Sequence, residues 1–219
     1  MAYSKETEKQ LTELLGEIEG RKEHEYAAAT YKDVPALKEI VRLVEEQLAG
    51  DSDESTYVDS IAVLGYVADR YDSLGRYAVS AKFYNQILNL ALTLKQQYGT
   101  DTEGIDGYLY TALQARNFYI DDDCDDLADI ATELMNAGDA QRIINERKER
   151  RRSLKHDPVE VTDEYLAVID EIEEKIEKSR TTYGHGSCFE VWSLKKSYLL
   201  EHDIEWQTPA ELNPRVLFD

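Results

Sequence analysis

Apolar residues recur with the spacing of an α-helix along almost the whole chain. Near the N-terminus, Leu11, Leu14, Leu15 and Ile18 follow the i, i+3, i+4, i+7 pattern. Later segments repeat this spacing between short turns, and none shows the sustained alternation of a strand. Only 4 prolines and 11 glycines interrupt the 219 residues. The sequence therefore predicts an all-α protein of about nine helices, arranged as stacked antiparallel hairpins or as an irregular helical bundle.

Residues that favour helix ends set the expected limits of these helices. Asp33 and Pro35 precede the second helix, and Gly50 follows it as a stop. The third, fourth and eighth helices are expected at about 54–72, 77–98 and 163–182. Three further start signals lie near the C-terminus: Thr162 as an N-cap, Ser187 with Glu190 as a capping box, and Thr208 at N-cap with Glu211 at N3.

The third and fourth helices carry a recognisable spacing of large and small residues. The positions are Leu64, Val67, Ala68, Tyr71, Ser80 and Tyr84, with the turn Gly75-Arg76-Tyr77 between the helices. Residues 54–98 therefore resemble one tetratricopeptide unit. A weaker echo of the pattern follows at Ala112, Ala115, Arg116, Tyr119, Ala128 and Thr132. The resemblance implies a helical-repeat protein that binds proteins or peptides.

The expected organisation is a single all-helical domain, 1–219, with a tetratricopeptide-like core at 54–137 and C-terminal helices and tail at 140–219. The tail has a second resemblance, carried by Cys188, Trp192, Lys195-Lys196, Ile204, Trp206, Thr208-Pro209, Glu211, Asn213-Pro214 and Phe218-Asp219. It is similar to the C-terminus of small helical proteins from anaerobic Gram-positive bacteria. This resemblance implies a bacterial cytoplasmic protein and implies no activity.

Charge disfavours two classes of partner. The chain has 25 Lys and Arg against 45 Asp and Glu, a net charge of −20, which repels nucleic acid and membrane phosphates. No apolar stretch approaches the ~20 residues of a membrane span, and the N-terminal residues lack an apolar signal core. Together with only two cysteines, these features predict a cytoplasmic protein with no membrane partner.

One basic stretch stands out in this acidic chain. Residues 141–155 carry seven Lys or Arg and two Glu, a local balance of +5. Two interpretations remain open. The stretch is either a docking site for an acidic partner or a solvated helix face that pairs with the acidic eighth helix, whose carboxylates include Asp170, Glu171, Glu173, Glu174 and Glu177.

Tyrosine is unusually frequent, with 15 Tyr against 4 Phe. Tyrosine suits partly solvent-exposed positions because its ring is apolar and its hydroxyl forms hydrogen bonds. These rings either line a binding groove or fill the edge of the core. From helical phase we predict a groove whose contacts are Tyr66, Arg70, Arg116 and Asn117. The resulting hypothesis is a non-catalytic protein- or peptide-binding helical-repeat module with no cofactor and no metal.

Two alternative functions remain. Cys188 lies near the start of a helix, where a thiol gains thiolate character, and His185 precedes it by three residues, so the pair is a candidate nucleophile and base. The second alternative is a self-associating structural protein, using the apolar seam Leu166, Ile169, Ile172 and Ile176. The acidic run at 121–126 lacks the glycine and the final glutamate of an EF-hand loop, and the histidines are too scattered for a metal site.

Overall fold

A computed structural model describes residues 3–21, 30–50, 52–100, 109, 112, 127–136, 138–142 and 155–218. Every regular element in these ranges is helical, which confirms the all-α class. The α-helices are α1 (Lys5–Gly20), α2 (Val34–Leu48), α3 (Glu54–Ser73), α4 (Tyr77–Thr93), α5 (Leu127–Leu134), α6 (Asp163–Ser179), α7 (Ser187–Leu200) and α8 (Pro209–Leu212). With a short helical stretch at 138–142, the described part of the chain has about the nine helices expected.

The chain divides into two compact units, Met1–Arg151 and Arg152–Asp219. We refer to them as unit 1 and unit 2. The single domain 1–219 with an internal boundary at 137–140 that the sequence suggests stays a prediction. The observed boundary falls within the basic stretch 141–155, most of which lies outside the described residues.

In unit 1, α3 is the central helix and has two buried faces. One face, with Val67 and Tyr71, packs against α1 and α2; the other, with Leu64 and Ala68, packs against α4. The α3–α4 hairpin buries all the pattern positions of the tetratricopeptide-like unit, which are Leu64, Val67, Ala68, Tyr71, Ser80 and Tyr84. Ala112, which belongs to the second and weaker copy of the pattern, is also buried in the core that α3 and α4 form. Residues 115–119 lie outside the described residues.

The turn between α3 and α4 is a Schellman motif. Gly75 has φ +72°, its N–H donates to the Asp72 carbonyl at 2.8 Å, and the Arg76 N–H donates to the Tyr71 carbonyl at 2.9 Å. At its far end α4 changes to a π-helical segment, Leu94–Tyr98, before Gly99 at φ +65°. The expected helix 77–98 therefore exists, but its last turn has the wider π hydrogen-bonding pattern.

In unit 2, α6 and α7 form a hairpin, and the C-terminal segment 204–218 packs on it. The core contains Tyr165, Ile169, Ile172, Ile176, Leu199, Ile204 and Trp206. The Trp206 indole donates to Glu160 at 2.8 Å, and the Gln207 N–H donates to Asp157 at 2.6 Å. Thr208 and Glu211 form a capping box at α8, as the sequence predicts.

The predicted capping box at the start of α7 is wrong. The N-cap is Gly186, at φ +78°, and Ser187 is already the first helical residue. Glu190 instead accepts hydrogen bonds from the backbone N–H groups of Thr181 and Thr182, at 2.9 and 2.6 Å. α6 ends at Ser179 rather than near 182, and its C-cap Arg180 has the extended backbone angle ψ 142°.

Candidate functional site

The predicted groove residue Arg70 has an internal partner. Arg70 Nη2 donates to Asp33 Oδ2 at 2.7 Å, and Arg21 Nη1 donates to Asp33 Oδ1 at 3.0 Å. Asp33 also accepts from the Thr30 N–H at 3.0 Å. Burial by itself raises the pKa of Asp33, but the hydrogen bonds from Thr30, Arg70 and Arg21 outweigh it and hold the pKa below its usual value. Arg70 therefore ties α3 to the residue that precedes α2.

Tyr66 also has an internal partner. Its hydroxyl donates to Glu19 Oε1 at 2.8 Å, which connects α3 to α1. Burial and the neighbouring Glu19 carboxylate both raise the Tyr66 pKa far above its usual value. The other two predicted groove residues, Arg116 and Asn117, lie outside the described residues. The structure thus brings Tyr66 and Arg70 into helix–helix contacts of unit 1.

Other tyrosines of unit 1 follow the same arrangement of buried ring and bonded hydroxyl. Tyr3 pairs with the Ser60 hydroxyl at 2.8 Å, and burial raises its pKa to about 12. The Tyr84 hydroxyl donates to Asp69 at 2.5 Å. These contacts agree with tyrosine as a filler at the edge of the core, the second of the two interpretations above.

A shallow cavity of about 410 Å³ lies at the N-terminus of α3, lined by Asp53, Glu54, Ser55, Val58 and Asp59. Its acidic side chains already have local roles. Asp53 is the N-cap of α3 and accepts from the Thr56 N–H at 2.9 Å, and Glu54 accepts from the Thr100 hydroxyl. Asp53 and Glu54 are therefore accounted for by the capping of α3 and by a contact with the loop after α4.

The candidate nucleophile lies at the start of α7. Cys188 is a partly buried cysteine at the second helical position, and His185 is exposed in the turn Gly184–Gly186. Within the described ranges, no group of three or more His, Cys, Asp or Glu side chains is placed to hold a metal ion. A catalytic role for Cys188 and His185 stays a prediction.

The apolar seam of α6 is used inside the protein. Ile169, Ile172 and Ile176 are buried in the core of unit 2, and Leu166 packs against it. The seam therefore packs against α7 and the C-terminal segment within unit 2, and self-association of the protein stays a prediction.

A different apolar surface is exposed on α7. Helical phase places Phe189, Trp192, Ser193, Lys196 and Leu200 on one side of this helix, next to the side that packs on α6. We call these five residues the outer stripe of α7. Phe189 is 52% exposed and Leu200 is 62% exposed. Exposed apolar side chains along one helix face are typical of interaction surfaces.

The C-terminal segment extends this surface. The Phe218 ring packs edge-on against Trp192 with centroids 5.2 Å apart, and Phe189 packs on Trp192 at 5.4 Å. Leu217, beside Phe218, is 97% exposed. The outer stripe and the end of the segment thus form one aromatic and aliphatic patch on unit 2.

The charges around the outer stripe are unevenly distributed. Lys195 Nζ lies 4.5 Å from the Trp206 ring and 3.7 Å from Glu160, and Lys196 Nζ lies 2.5 Å from Glu211. Both lysines of α7 therefore have intramolecular partners. Three carboxylates, Glu201, Asp203 and Glu205, are exposed just beyond Leu200. Lys175 of α6 interacts electrostatically with Glu201, so the carboxylates that follow Leu200 outnumber the ammonium group beside them.

The basic stretch 141–155 remains open in both its interpretations, because 143–154 lie outside the described residues. Arg142 lies 3.4 Å from Asp139, one turn before it. On α6, Glu171 pairs with Lys175 at 2.9 Å and Glu174 with Lys178 at 2.5 Å. Some of the acidic charge of α6 is therefore balanced within that helix.

No protein-family model, curated protein or solved structure matches the chain. The resemblance of 54–98 to a tetratricopeptide unit and that of the tail therefore stay predictions. None of the helices in the described ranges combines the length and the apolar character that crossing a bilayer requires.

Proposed function

We propose that the protein is a non-catalytic protein-interaction module and that its binding surface is the outer stripe of α7 together with Leu217 and Phe218. One observation carries this proposal: Phe189 and Leu200 stay more than half exposed on the same face of a helix whose other face is packed. Covering apolar area gains roughly 25 cal/mol per Å², and aromatic side chains are enriched among the residues that dominate binding.

Three further features support the proposal. The tetratricopeptide-like hairpin at 54–98 resembles a class of helical units that bind proteins or peptides. The chain has only two cysteines, which fits a reducing compartment, and we propose the cytoplasm as the place of action. The internal contacts of Tyr66 and Arg70 explain those side chains without a ligand, so we place the main surface on α7 rather than on the predicted groove with Arg116 and Asn117.

The test is affinity capture from the native host with matched variants. The double variant Phe189→Ser/Leu200→Ser removes the exposed apolar ends of the stripe without touching the core of unit 2. Tyr98→Ser, which removes an exposed aromatic ring of unit 1, is the control. We expect the wild type and the control to retain the same partner and the double variant to lose it. Retention of every partner by the double variant would show that the surface lies elsewhere.

A further inference from the structure

The charge pattern around the outer stripe identifies the chemistry of its partner. We infer that the stripe receives an amphipathic helix that packs its apolar face between Phe189 and Leu200 and places Lys or Arg side chains against Glu201, Asp203 and Glu205. The inference rests on the proposed function, since it names the partner of the same surface.

The length and side-chain spacing of the stripe favour a helical partner. Phe189 and Leu200 are three helical turns apart, about 16 Å at 1.5 Å per residue. Trp192, Ser193 and Lys196 of the stripe lie between them. Trp192, Lys196 and Leu200 stand four residues apart and form a ridge along α7, and such a ridge fits the groove between the side-chain rows of a second helix. An apolar helix face in a groove is a recurrent mode of peptide recognition.

The electrostatics favour a basic helix. The ammonium groups of Lys195 and Lys196 are engaged with Glu160 and Glu211, so neither has to be neutralised by the partner. The exposed carboxylates of Glu201, Asp203 and Glu205 follow Leu200 in the chain and outnumber the ammonium group of Lys175, which interacts with Glu201. The net charge of −20 adds long-range attraction for a cationic segment and repulsion between copies of the chain. A second copy is therefore a poorer occupant than a basic helix.

The direct test measures binding of labelled synthetic peptides to the full chain by fluorescence anisotropy. Three peptides of about eighteen residues, ~27 Å long as helices, are compared. The first has a leucine stripe flanked by lysines, the second replaces the lysines with glutamates, and the third keeps the lysines but replaces the leucines with alanines. We expect the Leu/Lys peptide to bind at least tenfold more tightly than either of the others.

Two sets of variants test the location of the site. We expect Phe189→Ser/Leu200→Ser and Glu201→Gln/Asp203→Asn/Glu205→Gln each to weaken Leu/Lys binding at least tenfold. Asp203 has φ +59°, and asparagine tolerates that conformation. The matched control is Glu6→Gln/Glu13→Gln/Glu45→Gln, which removes three carboxylates from α1 and α2. It should keep its affinity within about twofold, and circular dichroism checks that every variant is folded.

Each remaining outcome contradicts a definite part of the inference. Equal loss in the control triple variant means non-specific attraction to an acidic protein, and equal binding of the Leu/Glu peptide means that the carboxylates do not select the partner. A wild-type dimer in sedimentation that dissociates in Phe189→Ser/Leu200→Ser means that a second copy occupies the stripe. If no peptide binds while that variant still loses its captured host partner, the helix inference fails and the proposed function stands. If the peptide binds but capture is unaffected, the proposed function fails instead.

Discussion

Asp33 and Arg70 form a buried ion pair, with Arg70 Nη2 2.7 Å from Asp33 Oδ2 and Asp33 only 1% exposed. The pair joins the residue before α2 to the C-terminal half of α3, 37 positions along the chain. Arg21, the C-cap of α1, completes it from the other side. One carboxylate thus ties three helices of unit 1 together. Pairs of this kind are costly to break, because removing one partner leaves the other charge buried.

We expect Asp33→Asn to lower the free energy of unfolding of unit 1 by about 3 kcal/mol, because the Arg70 charge stays buried without its counter-ion. Urea denaturation followed by circular dichroism measures the change. The control is Glu39→Gln, which breaks the exposed pair of Glu39 with Arg42. Exposed pairs contribute little, so this variant should unfold like the wild type. An equal loss in both variants would contradict the central role of Asp33.

The same pair predicts a pH dependence. The pKa of Asp33 is lowered in the folded protein, so folding favours the ionised form, and this contribution is fully present above the unfolded pKa of about 3.9. It is lost as the pH falls through the lower, folded value. The difference in unfolding free energy between the wild type and Asp33→Asn should therefore be constant from pH 7 to 5 and shrink below pH 4. A difference that grows on acidification would overturn the assignment.

Helix limits were predictable where the signal was local. Thr162 accepts from the Tyr165 N–H and starts α6, and Thr208 with Glu211 caps α8, because capping needs only residues three positions apart. Gly75 was likewise expected as a turn residue. The predicted capping box at the start of α7 is wrong because the Glu190 carboxylate is engaged elsewhere. It accepts hydrogen bonds from the backbone N–H groups of Thr181 and Thr182.

The candidate site was predictable only in part, because its partners are distant in sequence. Periodicity placed Tyr66 and Arg70 together on α3, but it does not show that Glu19 and Asp33 arrive from α1 and from the turn before α2. The outer stripe of α7 was missed for a related reason. A helix that is apolar on two adjacent faces looks like a buried helix until the structure shows which face is covered. One signal was available in the sequence: Phe189, Trp192 and Leu200 fall on one side of α7 by helical phase, apart from the buried Leu199.

Two glycines of unit 1 should respond oppositely to alanine. Gly75 has φ +72° in the α3–α4 turn, a conformation that costs alanine about 1 kcal/mol or more. Gly16 lies exposed inside α1, where an added Cβ meets no atom within 4 Å. We expect Gly75→Ala to lower the free energy of unfolding. Gly16→Ala should raise it by about 0.5–1 kcal/mol. Stabilisation by Gly75→Ala would mean that this turn is not left-handed in solution.

If the two units unfold separately, a substitution at Asn213 should destabilise unit 2 alone. The Lys155 N–H donates to Asn213 Oδ1 at 2.7 Å, and Asn213 Nδ2 donates to the Lys155 carbonyl at 2.9 Å, so this side chain fastens the C-terminal segment to the start of unit 2. Asn213→Ala leaves both backbone groups without these bonds and should destabilise unit 2 by about 2 kcal/mol.

Both tryptophans of the chain, Trp192 and Trp206, lie in unit 2, so tryptophan fluorescence follows the unfolding of that unit alone. We expect Asn213→Ala to lower the urea midpoint seen by fluorescence, and Asp33→Asn to leave that midpoint in place while lowering the one seen by circular dichroism. Two units that unfold separately require this pattern, because each substitution removes contacts within one unit only. If either variant shifts both midpoints equally, the two units unfold as one cooperative structure, as a single domain over 1–219 would.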